Sequence, residues 1–293
     1  MNLKKLILFF IMMLTITTLF LSSQEAADYK TYSIREVNGQ KVEVHVFMPE
    51  VKEDRSKRSS ILLFHGGGWR WGSASWTFKN ARLFAKQGMV AFAVEYRLSK
   101  GNITPVDAIE DTCAAFRWVR KHSKKFNIDP AKVAGHGVSA GGHLVTMAAI
   151  MADKEDSGNK FSCRPDALLL WSPALDVVND GWFRRLIKDQ GNAGDYSPAD
   201  LSGRSTPPSC IIQGDKDTLT LLAGANKFCK NIINAGGICE MNIYPGVGHL
   251  LTRNLANQED DFDPHPEYRR DGRNKFIKFL LKQGFITKAV LID

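Results

Sequence analysis

A Gly-x-Ser-x-Gly pattern spanning 137–141 constrains the fold more than any other part of the chain. Residues 132–134 before it have the apolar character of a short buried strand, and residues 143–151 after it form an apolar helical segment. A serine on a sharp turn between a strand and a helix has strained backbone angles, and flanking glycines avoid clashes with the neighbouring elements. The helix also points its N-terminal amides at the serine, which favours developing negative charge. Ser139 is therefore a candidate nucleophile.

The motif alone is also compatible with a glycine-rich turn that contains an incidental serine. The assignment therefore depends on what accompanies it. Short apolar strands alternate with amphipathic or apolar helices along the chain. The predicted strands are 60–64, 89–94, 132–134, 167–170, 210–212 and 239–244, and the predicted helices are 77–87, 105–122, 143–151, 222–235 and 268–283. This alternation predicts an α/β fold with a mainly parallel central sheet, helices on both faces and right-handed crossovers.

The first ordered element is predicted to be a β-hairpin. Residues 29–35 and 42–47 alternate in polarity around Asn38-Gly39, a dipeptide typical of tight hairpin turns. Further along, residues 127–130 (NIDP) are expected to form a turn before the strand that leads to Ser139.

Residues 173–208 have a weak pattern and are predicted to form a small lid-like insertion over the site, with one short helix near 182–188. No Pro/Ser-rich linker divides the chain, so residues 24–293 are expected to form a single domain.

Three chemically complementary side chains follow three predicted strands. Ser139 follows residues 132–134, Asp217 follows 210–212, and His249 follows 239–244. Loops after parallel strands emerge at the same edge of the sheet, where sites collect. Ser139 would attack a carbonyl, His249 would carry the proton, and Asp217 would hold the imidazole.

Two other residues compete for these roles. Asp215 lies in the same loop as Asp217 and is the alternative acid, although it is closer to the strand end and could cap the turn instead. His265 lies in a charged loop with no strand before it, which favours His249.

A second glycine-rich segment supports the same chemistry. His65-Gly66-Gly67-Gly68 follows the buried strand 60–64. The amides of Gly67 and Gly68, together with that of Ala140, are predicted to form an oxyanion hole. Trp69 is a candidate substrate-binding residue beside them. The tryptophans Trp69, Trp71, Trp76 and Trp182 are also compatible with packing between the insertion and the sheet.

These motifs, together with Glu95-Tyr96-Arg97-Leu98 and Gly214-Asp215-Lys216-Asp217, resemble the α/β-hydrolase superfamily over roughly residues 40–285. Within the superfamily, the chain resembles the secreted esterase/lipase-like group that includes acetyl esterases, bacterial feruloyl esterases and relatives of hormone-sensitive lipase. The resemblance implies a serine hydrolase without a cofactor. No spacing of Cys and His residues resembles a zinc site, so no metal is expected either. It also favours Asp217, since the family acid usually lies three residues after the glycine at the strand end, here Gly214.

The chain departs from the hormone-sensitive-lipase relatives in two respects. Position 138 is Val, where those relatives often carry an acidic residue, and residues 24–59 resemble a hairpin where those relatives have a helical cap. Both differences favour an open site and short acyl groups over a long-acyl lipase.

The N-terminal segment and the net charge indicate the compartment and the partners that can be expected. Residues 1–23 resemble a signal peptide, with Lys4 and Lys5 before an apolar run and Ser22-Ser23 as a cleavage point. This predicts a secreted or periplasmic protein with no stable membrane insertion once the signal is removed; an uncleaved N-terminal anchor is the alternative.

The net charge of +8 is not concentrated in basic runs with interleaved aromatics, so no nucleic-acid partner is expected.

An oxidising compartment permits disulfides. Of the five cysteines, Cys229 and Cys239 lie ten residues apart at the end of a helix and the start of a strand, and are predicted to pair. The odd number of cysteines leaves at least one thiol unpaired.

The expected substrate is a small-molecule or oligosaccharide ester, with acetyl groups on plant polysaccharide fragments favoured by export and by the family resemblance. Hydrolysis of an amide, as in arylformamidases or serine peptidases, is an alternative. A non-catalytic binding protein built on the same fold is another, which the presence of Ser139, Asp217 and His249 disfavours.

Overall fold

The computed structural model describes residues 28–50 and 56–293. The predicted signal peptide, residues 1–23, lies outside this part of the chain. Within the described part, none of the helices combines the length and the apolar character needed to cross a membrane.

Eight strands of the described chain form one sheet. They are β1 Lys30–Val37, β2 Gln40–Phe47, β3 Arg58–Phe64, β4 Val90–Val94, β5 Ile128–Val138, β6 Ala167–Trp171, β7 Ser209–Gly214 and β8 Cys239–Tyr244. Their spatial order is β1-β2-β4-β3-β5-β6-β7-β8. Strands β3 to β8 pair in parallel, whereas β1 and β2 form the predicted antiparallel hairpin and β2 joins the sheet by antiparallel pairing with β4. This is the mainly parallel sheet predicted from the alternation of elements.

Helices connect the parallel strands. The longer ones are α1 Phe78–Lys86, α2 Pro105–Lys121, α3 Ala140–Glu155, α4 Gly181–Ile187, α5 Leu222–Asn234 and α6 Pro266–Lys282. Single turns of α-helix occur at Ser123–Phe126 and Pro198–Leu201, and 3₁₀ turns at Ala74–Thr77, Ala193–Tyr196 and His249–Leu251. The start of α2 shows how the sequence fixes these bounds: Thr104 and Asp107 form a capping box, and Pro105 occupies the first helical position, where no amide donor is needed.

The sheet is covered on both faces, and alternate residues of each strand enter opposite cores. In β3, Leu62 and Phe64 belong to one core and Ile61 and Leu63 to the other, and all four are fully buried. This explains why the central strands are continuous apolar runs, since a parallel strand between two helical layers has no solvent-facing side.

Two parts of the chain differ from the sequence-based prediction. Residues 128–130 are not a turn but the beginning of β5, because Ile128 pairs with Arg58 of β3; only Asn127, with φ of +51°, makes the left-handed turn before them. The insertion 173–208 contains more helix than predicted: α4, the 3₁₀ turn Ala193–Tyr196 and the turn Pro198–Leu201. Its Phe183 is fully buried against the main core, which holds the insertion in place.

The structure bonds Cys229 of α5 to Cys239 of β8, the pair expected from the sequence. The sulfur atoms of Cys113 and Cys163, both buried, lie 3.0 Å apart. Burial raises the pKa of the Cys210 thiol to about 12, so this side chain is an unreactive core residue.

Candidate active site

Ser139 lies at the turn between β5 and α3 in a strained conformation, with φ of +52° and ψ of −118°. The turn is tight because the neighbouring glycines touch backbone. A Cβ on Gly137 would collide with the backbone of Gly141 and Gly142, and a Cβ on Gly141 would collide with the carbonyl groups of Phe64 and His65. Only glycine fits at either position, and the resulting geometry lifts the serine hydroxyl out of the sheet.

The structure brings Ser139, His249 and Asp217 together at the carboxyl edge of the sheet. Ser139 Oγ lies 3.1 Å from His249 Nε2, and His249 Nδ1 lies 2.9 Å from Asp217 Oδ2. The imidazole and the carboxylate are buried. Both distances are within hydrogen-bond reach, so a proton can pass from the hydroxyl to the imidazole while the carboxylate fixes the orientation of the ring.

Asp217 is held by donors other than His249. Its Oδ1 accepts hydrogen bonds from the backbone amides of Leu219 and Thr220, at 3.0 and 2.8 Å. Its Oδ2 accepts from Gln213 Nε2 at 3.0 Å and from Thr220 Oγ1 at 2.8 Å. A carboxylate satisfied in this way keeps one orientation toward the imidazole.

Asp215 occupies a different position. Its Oδ1 accepts a hydrogen bond of 2.7 Å from the amide of Gly246, so it closes the turn after β8. Of the two aspartates that the sequence offered, the structure places Asp217 beside His249.

Gln258 was missed by the sequence analysis, although it joins the loops that carry Asp217 and His249. Its Oε1 accepts from the amide of His249 at 2.8 Å and from the amide of Thr218 at 3.1 Å, and its Nε2 donates to the carbonyl of Lys216 at 2.9 Å. The side chain is buried and fits closely against Gly248, where an added Cβ would displace the amide group of Gln258. No local pattern marks a glutamine in a polar loop for this role, because its partners come from elsewhere in the chain.

The segment Gly66–Gly68 passes beside Ser139. A Cβ on Gly66 would lie 3.2 Å from Ser139 Cβ, and Gly67 and Gly68 have φ of +106° and +56°. Among the described residues, no protein acceptor receives a hydrogen bond from the amide of Gly67, Gly68 or Ala140. These three amides therefore remain candidate donors to a substrate oxyanion.

Trp69 does not lie where the sequence prediction put it. Its side chain is only 2% exposed, its Nε1 donates to His143 Nδ1 at 3.2 Å, and its ring packs edge-on against Phe183. The backbone at Trp69 is left-handed, with φ of +60°, and the structure buries the indole that the sequence analysis named as a substrate-binding candidate, so this side chain is a packing residue. Trp69 supports the segment from below.

Two other tryptophans connect this segment to the insertion. Trp182 of α4 donates from Nε1 to the carbonyl of Gly68 at 2.9 Å, and its ring stacks on Trp71 with centroids 5.4 Å apart. Trp71 is 52% exposed. The insertion therefore contacts the candidate oxyanion loop directly.

The remaining histidines near the site are buried structural groups. Burial lowers the pKa of His65, His136 and His143 to about 4 in each case, so all three rings are neutral near pH 7. His143 accepts from Trp69 and contacts the carbonyl of Tyr196 at 2.8 Å, as a neutral ring with one donor and one acceptor can. His265 caps the start of α6 by accepting from the amide of Tyr268.

Residues 44–168 match the protein family described as BD-FAE. Among curated proteins, an acetylxylan esterase of Xylanibacter ruminicola is 29% identical over 84% of this chain and 50% of its own length. The endo-1,4-beta-xylanase B of Butyrivibrio fibrisolvens is 31% identical over 70% of this chain and 34% of its own length. The chain thus spans half or less of the length of these relatives.

Among solved structures, an esterase of Thermogutta terrifontis determined with bound propionate superimposes with a TM-score of 0.79, at 26% identity over 91% of this chain and 98% of that protein. The same esterase has been solved phosphorylated by paraoxon, with a TM-score of 0.76 at 25% identity over 90% of this chain and 97% of that protein. Here the similarity extends over nearly the whole of the compared protein.

Proposed function

We propose that the chain is a serine carboxylic ester hydrolase that acts on short acyl esters, a function supported by the match of residues 44–168 to the BD-FAE family and by the similarity of the whole fold to a solved esterase. The observation that carries the proposal is the continuous hydrogen-bonded line from Ser139 Oγ through His249 to Asp217 Oδ2, beside three amides that are free to bind an oxyanion.

The proposed reaction forms a covalent intermediate. Ser139 Oγ attacks the ester carbonyl carbon while its proton moves to His249 Nε2, and Asp217 stabilises the charged imidazole. The negative charge that develops on the carbonyl oxygen is bound by the amides of Gly67, Gly68 and Ala140.

Collapse of this tetrahedral species breaks the ester C–O bond, and the leaving alkoxide takes the proton from His249. The acyl group remains on Ser139 Oγ. A water molecule, deprotonated by His249, then attacks the carbonyl carbon of the acyl-enzyme. The bond between that carbon and Ser139 Oγ breaks, His249 returns the proton to Oγ, and the carboxylic acid is released.

Acetyl groups on plant polysaccharide fragments are the substrate that we propose. The acetylxylan esterase and the xylanase among the relatives support this class, and the neighbour solved with propionate supports a short acyl group. The described part of the N-terminal segment is a hairpin at the edge of the sheet, which is consistent with an open site.

We also propose that the protein functions outside the cytoplasm. It rests on the signal-like residues 1–23 and is supported by the disulfide between Cys229 and Cys239, which an oxidising compartment maintains. Secretion from the native host, with a new N-terminus near residue 24, is the expected result of fractionation and N-terminal sequencing; retention of the full chain in the membrane fraction would contradict it.

The substrate proposal is tested with purified protein, a p-nitrophenyl ester series from acetate to long acyl chains, and acetylated xylan. The expected result is fast hydrolysis of the acetate ester, a steep fall with chain length, and release of acetate from xylan. Hydrolysis of p-nitroacetanilide in place of the esters would indicate an amide hydrolase. Absence of turnover on every ester would refute the proposed activity.

A further inference from the structure

Four exposed apolar side chains lie on the two loops that carry Asp217 and His249. Leu219 and Leu221 follow Asp217, and Leu255 and Phe262 follow His249. We call these four residues the apolar shelf. The loops are held side by side, because Gln258 accepts hydrogen bonds from the amides of both Thr218 and His249.

Phe262 is the shelf residue that contacts the ring of His249. Its ring centroid lies 6.2 Å from that of the His249 imidazole, and it is the only aromatic partner of that imidazole among the residues the structure describes. The side chain remains 41% exposed. A solvent-exposed aromatic ring therefore lies beside the imidazole that accepts and donates the proton in the proposed reaction.

The loop that carries Phe262 is fixed by its own polar contacts. Arg253 pairs with Asp263 at 2.7 Å, Asn254 Nδ2 donates to Asp261 Oδ2 at 2.9 Å, and the amide of Asp263 donates to Thr252 Oγ1 at 2.9 Å. The loop that carries Leu255 and Phe262 is thus preformed, and charged residues flank Phe262 in it. An apolar centre with a polar margin suits a ligand that has an apolar face and hydroxyl groups at its edge.

The proposed reaction determines what must pass over this ring. The leaving oxygen of the ester has to come within hydrogen-bond distance of His249 Nε2 to take the proton. In the proposed mechanism the carbonyl oxygen of the ester is bound by the amides of Gly67, Gly68 and Ala140. The alcohol part of the ester therefore leaves close to the imidazole, the group beside which Phe262 lies.

We propose that the apolar shelf binds the alcohol moiety of the substrate, with Phe262 stacking against the C–H face of the pyranose ring that carries the ester. The inference rests on the proposed esterase function and extends it by naming a residue that selects the alcohol. An acetyl group offers few atoms for recognition, so binding energy from the non-reacting part of the substrate has to supply selectivity. Aromatic rings provide such contacts at little cost in conformational entropy.

The test compares three acetate esters: mono-acetylated xylobiose, ethyl acetate, whose alcohol is too small to cover the shelf, and octyl acetate, whose alcohol is an alkyl chain. The measured quantity is the ratio of kcat/KM for the xylobiose ester to that for ethyl acetate. We expect Phe262→Ala to lower this ratio about tenfold, and Phe262→Tyr, which keeps the ring, to retain it. Leu281→Ala is the matched control, because Leu281 is equally exposed at 41% but lies on α6.

The outcomes separate the inference from the function on which it rests. If the wild-type protein hydrolyses the esters and Phe262→Ala has the same ratio of kcat/KM values, the proposed role of the apolar shelf is wrong and the esterase function is unaffected. An equal fall for both substrates would also overturn that role, since Phe262 would then act on the imidazole and not on the alcohol. If Phe262→Ala lowers kcat/KM for octyl acetate only, the shelf binds alkyl alcohols, which contradicts the proposed binding of a sugar. Failure of the wild-type protein on all three esters would refute the esterase function itself.

Discussion

At the scale of the residue, the choice between two neighbouring aspartates is decided by what each one touches. Asp217 contacts the imidazole of His249 and four further donors, whereas Asp215 accepts from the amide of Gly246. The sequence offered both residues in one loop, and only the path of the backbone after β7 distinguishes them.

Replacement of these aspartates tests the assignment. Asp217→Asn removes the charge that stabilises the protonated His249 and permits the wrong imidazole tautomer, so kcat should fall by about 10⁴-fold. Asp215→Asn is a matched control and should leave kcat within a few-fold of the wild type. Steady-state kinetics on p-nitrophenyl acetate provide the comparison. A larger loss in the Asp215 variant would contradict the assignment.

A second prediction at the residue scale concerns Gln258. Gln258→Leu removes the three hydrogen bonds that join the loops of Asp217 and His249. Small displacements of a catalytic group are costly, so we expect kcat to fall roughly 10- to 100-fold with little change in KM. The pH profile of kcat should also change, because the contact between the imidazole and the carboxylate is disturbed. A variant with a lowered melting temperature but wild-type kcat and pH profile would show that Gln258 stabilises the fold only.

At the scale of the element, the strand–turn–helix unit around Ser139 connects the local sequence to the site. Gly141, at the start of α3, packs against the carbonyl groups of Phe64 and His65, which lead into the segment Gly66–Gly68. The nucleophile turn and the candidate oxyanion loop therefore touch through backbone, with no side chain between them. Their relative position depends on this close approach.

Gly141→Ala should separate the two elements. The added methyl group must displace the end of β3, and overpacking of this kind costs about 1–3 kcal/mol. We expect a lower melting temperature and a fall in kcat of about 100-fold or more. Gly203→Ala is the matched control, since nothing lies within 4 Å of the position where its Cβ would be. Wild-type kcat in Gly141→Ala would show that the site tolerates a wider separation.

Much of this element-level organisation could be predicted from the sequence, because the central parallel strands contain compact apolar runs and the hairpin strands alternate in polarity around Asn38-Gly39. The exceptions have physical reasons. Ile128 joins β5 through pairing with Arg58, a distant residue that local turn chemistry does not reveal. Trp69 faces inward because the backbone adopts a left-handed conformation there, and a sequence does not specify which side of a glycine loop an indole takes. Gln258 could not be predicted because its partners meet only in the folded chain.

At the scale of the whole molecule, three neutral histidines are enclosed in the fold. His65, His136 and His143 each have a pKa lowered by burial to about 4, whereas an unfolded chain binds protons at these positions near pH 6.5. Between these two values the unfolded state carries more protons than the folded state. Stability therefore rises with pH through this window and falls as the pH is lowered.

Chemical denaturation at a series of pH values measures this effect. We expect the free energy of unfolding to be largest above pH 6.5 and to fall by several kcal/mol, in rough terms, as the pH is lowered toward 4, since one pKa unit corresponds to about 1.4 kcal/mol. Calorimetry should detect proton uptake on unfolding in the same interval. A free energy of unfolding that stayed constant from pH 6.5 to 4.5, with no proton uptake, would contradict neutral burial of the three rings.

The most direct measurement of the central claim is covalent labelling of the nucleophile. The protein is treated with paraoxon, an organophosphate that forms a stable adduct with an activated serine, and digested for mass spectrometry. We predict one diethylphosphoryl group on the peptide that contains Ser139, loss of ester hydrolysis in proportion to labelling, and no adduct in Ser139→Ala. An unlabelled Ser139 in a protein that hydrolyses esters, or full activity in Ser139→Ala, would show that the reaction does not proceed through this serine.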